Sequence, residues 1–91
     1  MSSGRASLEA MDDMIRILTK TQELQDKISQ DLRQKYNSVE NFDDEKYVEL
    51  GYQIDDIVRR LSDCSGSLSS AITSLQLCKR FLEDYVNVRM H

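Results

Sequence analysis

Two cysteines and one histidine are the residues of this 91-residue sequence best suited to metal binding or nucleophilic chemistry. Cys64 and Cys78 do not form a Cys-x-x-Cys pair, and the histidine is the terminal His91, so we predict no metal site. On one helix the two thiols would lie about 21 Å apart, too far for a disulfide within that helix. We interpret both as small apolar residues in a reduced helical core. In a parallel homodimer, each would face its own copy and could be cross-linked by oxidation.

Adjacent carboxylates occur at Asp43, Asp44 and Glu45. They lack the alternating ligands, the central glycine and the distal glutamate of a calcium-binding loop, so they are interpreted as the start of a helix. The sequence also has no glycine-rich phosphate loop and no histidine near a helix-borne nucleophile. We therefore predict that the chain is not an enzyme and has no cofactor and no small-molecule substrate.

The segment Arg59-Arg60-Leu61-Ser62 matches the Arg-Arg-x-Ser pattern of basic-directed kinases. Ser62 is therefore a candidate phosphorylation site, and a phosphate there would disfavour the helix around the neighbouring Gly66. The alternative is an ordinary solvated helix face.

The charge of the chain is uneven. The net charge is −4, and residues 37–63 carry eight acidic and three basic residues. This acidity argues against nucleic-acid binding, which requires clustered Lys and Arg. It is consistent either with a solvated helix start or with a docking patch for a basic partner.

The first half of the chain predicts a disordered tail over 1–7, an amphipathic helix over 8–36 capped by Ser7, and a connection over 37–43. Asn41 or Asp43 is expected to cap the next helix. In the first helix, Ile15, Ile17 and Leu24 broaden an apolar stripe whose members recur at steps of three and four. These members are Met11, Met14, Leu18, Thr21, Gln25, Ile28, Leu32 and Val39, with Lys35 as an interruption between the last two.

The second half contains a sustained heptad pattern, which predicts a coiled-coil helix over 44–89. One row, at steps of seven, comprises Tyr47, Ile54, Leu61, Leu68, Leu75 and Leu82. The row three positions later comprises Leu50, Ile57, Cys64, Ala71, Cys78 and Tyr85. Val58, Ile72 and Val86 widen the stripe by one position. Because the heptads pass through Gly66 unshifted, we favour one continuous helix over a turn near Gly66.

The predicted fold is all-α: an extended helical hairpin with a long coiled-coil second helix. The alternative is a three-helix bundle with a turn near Gly66. The absence of proline favours long helices, and the low aromatic content limits the core of an isolated chain. A first helix over 8–36 would cover about 43 Å of a second helix about 68 Å long, so the segment from Leu75 to Tyr85 is expected to remain uncovered.

We expect a non-enzymatic coiled-coil subunit that assembles with other helical chains in a scaffold or tethering complex, of the vesicle, organelle, kinetochore or spindle type. The alternative is a self-contained three-helix regulatory module that binds an amphipathic helix. Small residues form either a poorly charged solvated surface or, as we favour, a place where a partner helix approaches closely; they are Ser65, Gly66, Ser67, Ser69, Ser70, Ala71, Thr73 and Ser74. The predicted partner-binding residues are Ile54, Ile57, Leu61, Leu68, Ala71, Ile72, Leu75, Cys78, Phe81, Leu82 and Tyr85.

A hetero-oligomer is expected rather than a homodimer, because Thr21, Gln25 and Lys35 interrupt the stripe of the first helix. No direct membrane insertion is expected, since no segment approaches the ~18 consecutive apolar residues of a span. The sequence is typical of an intracellular protein, with cytoplasm and nucleus not distinguished.

Overall fold

The protein is an antiparallel pair of long helices. A computed structural model describes residues 3–89, in which α1 spans Ser3–Asn37 and α2 spans Glu45–Arg89. The molecule measures 71 × 16 × 13 Å. The predicted extended helical hairpin is confirmed. The three-helix alternative is not formed, because α2 continues through Gly66 without a turn.

The start of α1 differs from the prediction. α1 begins at Ser3, so the predicted disordered tail is wrong for residues 3–7, and residues 1 and 2 lie outside the described part. The extra turn brings Gly4 so close to α2 that a Cβ at Gly4 would lie 2.8 Å from Val86 Cγ2. The expectation that α1 leaves the segment from Leu75 to Tyr85 without a neighbour is therefore wrong.

The two helices meet along one seam whose residues recur at alternating steps of three and four, the spacing of helices that pack side by side. All of these residues are buried or half-buried. The α1 seam comprises Gly4, Leu8, Met11, Ile15, Leu18, Gln22, Gln25, Ser29, Leu32 and Tyr36. The α2 seam comprises Tyr47, Gly51, Ile54, Val58, Leu61, Ser65, Leu68, Ile72, Leu75, Lys79, Leu82 and Val86.

The seam differs from the predicted heptad in its second row. The row from Leu50 to Tyr85 follows the Tyr47–Leu82 row by three positions and lies outside the seam, whereas the row from Gly51 to Val86 follows it by four and lies inside. On a helix these two rows flank the Tyr47–Leu82 row at about 60° on one side and about 40° on the other. α1 packs on the second flank, and the residues of the first flank from Leu50 to Cys78 are exposed.

The turn is held by an aromatic clasp. Tyr36 and Tyr47 stack with ring centroids 4.4 Å apart, and Phe42 packs edge-on against Tyr47. Each tyrosine hydroxyl donates a hydrogen bond to the backbone carbonyl of the other residue. Gly51 makes room for this arrangement, because a Cβ there would lie 2.5 Å from the Tyr36 hydroxyl oxygen.

The N-cap of α2 is Asp44. Its Oδ1 accepts a hydrogen bond from Lys46 N at 2.7 Å, and its carbonyl accepts from Val48 N at 3.1 Å. The prediction that Asn41 or Asp43 caps this helix is wrong. Asn41 instead takes a positive φ of 57°, a conformation that asparagine tolerates in tight connections.

Candidate functional site

The hairpin has two long faces, one on each side of the seam, and they differ in character. In α2, a residue that follows a member of the Tyr47–Leu82 row by one position projects to one side of the seam. A residue that follows such a member by three positions projects to the other side. The two helices run antiparallel and have their uncovered apolar rows on the same angular side of the seam. Both rows therefore lie on the same face of the hairpin.

The first face is closed by polar contacts between the helices. Lys79 Nζ lies 2.7 Å from Asp12 Oδ1, and an Arg33 guanidinium nitrogen lies 3.9 Å from Asp55 Oδ1. The hydrogen bond from Lys79 to Asp12 raises the pKa of the lysine above its ordinary value, although partial burial opposes the shift. We call this side the ion-paired face.

The second face is apolar and is not covered by any described residue. Ile17 is 63% exposed, Leu24 56% and Phe81 63%. Its α1 half comprises Met14, Ile17, Leu24 and Ile28, and its α2 half comprises Leu50, Ile57, Cys64, Ala71, Cys78, Phe81 and Tyr85. We call this surface the open face.

Polar residues occupy the middle of the seam, between the two faces. Gln22 Nε2 donates to the Ser65 carbonyl at 3.0 Å and also to Ser69 Oγ, on the ion-paired side. Gln25 Nε2 lies 3.3 Å from Cys64 Sγ, on the open side. Gln25 Oε1 is buried and has no hydrogen-bond partner among the described residues. This layer replaces apolar packing at the centre of the hairpin.

The open face has unequal halves. Its α1 half presents bulky side chains, whereas the middle of its α2 half presents small ones, at Cys64, Ser67, Ala71 and Ser74. At the Tyr85 end the sizes are reversed, because α2 presents Phe81 and Tyr85 while α1 presents Ser7 and Ala10. The surface therefore alternates between raised and recessed areas along its length.

The outer rims of the open face are charged. The α2 rim contains Glu49, Asp56, Asp63 and Asp84, and Arg60 lies beside them with its Nε 2.9 Å from Asp56 Oδ2. The α1 rim contains Lys20 and Lys27 together with Asp31, whose Oδ2 lies 3.1 Å from Lys27 Nζ. The α2 rim is thus mainly acidic, whereas the α1 rim carries both signs.

The structure divides the predicted partner-binding residues into two groups. Five lie on the open face, and the other six lie in the seam against α1. The open-face group is Ile57, Ala71, Cys78, Phe81 and Tyr85, and the seam group is Ile54, Leu61, Leu68, Ile72, Leu75 and Leu82.

The predicted partner-binding set includes no residue of α1, although the α1 half of the open face carries four large apolar residues. The signal was present in the sequence, since Ile17 and Leu24 broaden the α1 stripe on the side away from Ile15. Leu50 and Cys64 were also omitted from the partner set, although both lie on the open face.

The remaining candidates for chemistry are not brought together. Cys64 and Cys78 are free and exposed on the open face, and Ser62 is exposed near the ion-paired face. Over the described residues, no group of three or more His, Cys, Asp or Glu side chains is arranged to hold a metal ion. Within the same range, neither helix contains a stretch apolar enough and long enough to cross a bilayer.

Comparison with known proteins gives no assignment. No protein-family model, no curated protein and no solved structure matches this chain.

Proposed function

We propose that this protein is a non-enzymatic structural subunit of the scaffold or tethering type. It contributes a two-helix hairpin to a helical coiled-coil assembly, and helices of another chain cover its open face. The single observation that carries this proposal is the placement of two uncovered apolar rows, one from each helix, on the same face of the hairpin.

The thin interior of the hairpin supports this proposal. Ile54, at 7% exposure, is the only described residue that counts as buried. A protein of this size is marginally stable when it depends on one small core, so a second packed layer would add substantially to its stability. An uncovered apolar face of this length is also typical of an interaction surface.

The angular position of the open face further supports an assembly of paired helices. In an antiparallel four-helix bundle, each helix contacts two neighbours through adjacent flanks of one apolar stripe. α2 uses one flank on α1 and leaves the other free. The open face also spans both helices, which favours a covering layer of two helices over a single captured peptide.

Paired variants of the tagged full chain would test this function. Leu24→Asp with Ile57→Asp places two charges on the open face, whereas Val48→Asp with Tyr52→Asp places two charges at exposed apolar positions away from it. Proteins that co-purify with the wild type from native cells should be lost from the first variant and retained by the second. Equal recovery with both variants would contradict an assembly role for the open face.

A further inference from the structure

The geometry points to a second copy of this chain as the layer that covers the open face. In this arrangement two hairpins form an antiparallel four-helix bundle around a twofold axis parallel to their long dimension. This inference rests on the proposed function and specifies the partner. Three independent features of the open face support it: the order of its large and small residues, the charge of its rims and its area.

Seam contacts establish which residues of α1 and α2 share a level along the hairpin. Gly4 lies beside Val86, Gln22 beside Ser65 and Tyr36 beside Tyr47. By interpolation, Ile17 is level with Ala71 and Leu24 is level with Cys64. A twofold axis parallel to the helices leaves every residue at its own level and places α1 of one copy over α2 of the other, in antiparallel orientation.

Side-chain sizes are complementary under this operation. Ile17 of one copy comes over Ala71 of the other, and Leu24 comes over Cys64, so bulky residues meet small ones. At the Tyr85 end, Phe81 comes over the α1 segment that contains Ser7 and Ala10, and again a large residue meets small ones. Over the part of the face from Ser7 to Leu24 of α1, raised areas therefore meet recessed areas, so this part is complementary to itself, as an isologous interface requires.

Rim charges favour the same operation. The Lys20 and Lys27 edge of one copy, which also carries Asp31, comes over the mainly acidic α2 edge of the other, which carries Asp56, Asp63 and Arg60. Lys27 and Asp63 lie within about one helical turn of each other along the bundle, and the twofold axis produces this pairing twice. In the alternative arrangement, α2 would lie over α2, and its acidic rim would face an acidic rim.

The area of the open face is sufficient for a stable dimer. From Leu50 to Tyr85 it runs about 53 Å, at 1.5 Å per residue. The breadth of 16 Å gives a surface of roughly 850 Å², close to the ~800 Å² that each partner contributes to a standard interface.

Thr21 and Gln25, two of the polar residues that interrupt the stripe of α1, make contacts within their own hairpin. Gln25 lies in the seam, where its Nε2 contacts Cys64, and its Oε1 has no hydrogen-bond partner among the described residues. Thr21 Oγ1 donates to the Ile17 carbonyl of its own helix at 2.8 Å. Thr21 therefore requires no polar partner on another chain.

Sedimentation velocity of the purified full chain, from low micromolar to submillimolar concentration, tests the inference. We expect a reversible dimer, which Leu24→Asp weakens by about a hundredfold or more because a carboxylate enters an apolar contact twice. Tyr52→Asp, a change at a more exposed position outside the open face, should leave the dimer intact. Circular dichroism at low concentration checks that both variants keep their helices.

A charge exchange tests the arrangement itself. Lys27→Glu and Asp63→Lys should each weaken the dimer by about three- to tenfold, and the double variant should restore it. The thiols give a second measurement, since Cys64 is covered in the dimer. Its reaction with a thiol reagent should slow with rising protein concentration in the wild type and not in Leu24→Asp. Weakening by both single changes without recovery in the double variant would overturn the proposed pairing.

The possible outcomes separate this inference from the proposed function. A chain that is monomeric at all concentrations overturns the second-copy inference. If that monomer still loses co-purifying proteins on the open-face substitutions, the proposed function stands with a different chain as partner. If the monomer unfolds cooperatively and loses no co-purifying protein on those substitutions, both proposals fail.

Discussion

The two long faces of the hairpin have nearly the same backbone geometry and opposite chemistry. On the ion-paired face, Asp12–Lys79 and Arg33–Asp55 connect the helices. On the open face, equivalent positions carry exposed isoleucine, leucine, methionine and phenylalanine, which no element between Ser3 and Arg89 covers. The difference shows that the apolar stripe of α2 has two halves and that α1 packs on only one of them. Substitutions that act on one half alone therefore separate folding from assembly.

The largest expected effect distinguishes Ile54 from Ile57, two isoleucines one helical turn apart. Ile54 is 7% exposed in the seam, whereas Ile57 is 46% exposed on the open face. Ile54→Ala should lower the free energy of unfolding of the dilute chain by about 2–4 kcal/mol, because it leaves a cavity beside α1. Ile57→Ala should lower it by less than about 1 kcal/mol under the same conditions.

Urea denaturation followed by circular dichroism at low protein concentration would measure both changes. At high concentration, Ile57→Ala should also reduce stability, because association then contributes to the transition. Similar losses for both variants in dilute solution would contradict the distinction between the two halves of the stripe.

A smaller effect distinguishes two glycines of α2. Gly51→Ala would bring a Cβ within 2.5 Å of the Tyr36 hydroxyl oxygen and disturb the aromatic clasp, so we expect a loss of about 2 kcal/mol. Gly66→Ala meets nothing within 4 Å and should raise stability by about 1 kcal/mol, because alanine favours the helix. Thermal unfolding monitored at 222 nm checks both signs, and a stabilising Gly51→Ala would contradict the clasp.

Gln25 gives a third test, at the boundary between the seam and the open face. Its Oε1 is buried and has no hydrogen bond within the described part of the chain. Gln25→Leu removes that oxygen and should stabilise the hairpin by about 1 kcal/mol. Gln22→Leu is the matched control, because it removes satisfied hydrogen bonds to Ser65 and Ser69 and gains less. Chemical denaturation of both variants would compare them; a destabilising Gln25→Leu would show that the layer is needed for register.

The fold could be predicted from the sequence because it depends on local signals. The heptads from Tyr47 to Leu82 and the polar connection determine two helices and a turn. Two rows flank the Tyr47–Leu82 row, and the sequence could not show which of them packs against α1. A sequence pattern shows which residues are apolar, but it does not show which neighbour covers each row. The row from Val58 to Val86 includes Ser65 and Lys79, which made it the less apolar of the two on sequence alone.

The start of α1 and the position of the α1 half of the open face were missed for a related reason. Ser3 to Ser7 contain small and polar residues with no periodicity, and the structure places Gly4 of this turn close to Val86 of α2. That contact joins residues far apart in the sequence. Tertiary packing of this kind overrides local propensity at helix ends.

The smallest expected effect comes from pH and depends on the ion-paired face and the clasp. The hydrogen bond to Asp12 raises the pKa of Lys79, and burial together with Tyr36 raises the pKa of Tyr47. In both cases the folded chain holds its proton to higher pH than the unfolded chain. Their contributions are therefore complete at neutral pH and are lost as the pH rises above about 10, past the ordinary values of both groups.

Unfolding curves recorded between pH 8 and pH 11 would measure this loss. Asp12→Asn should lower stability slightly at pH 8 and flatten the alkaline decline, and Tyr47→Phe should remove the tyrosine part of it. Leu24→Asp, which changes the open face only, should leave the slope of the dilute chain unchanged. An unaltered slope in the Asp12→Asn and Tyr47→Phe double variant would show that the alkaline loss arises outside the ion-paired face and the clasp.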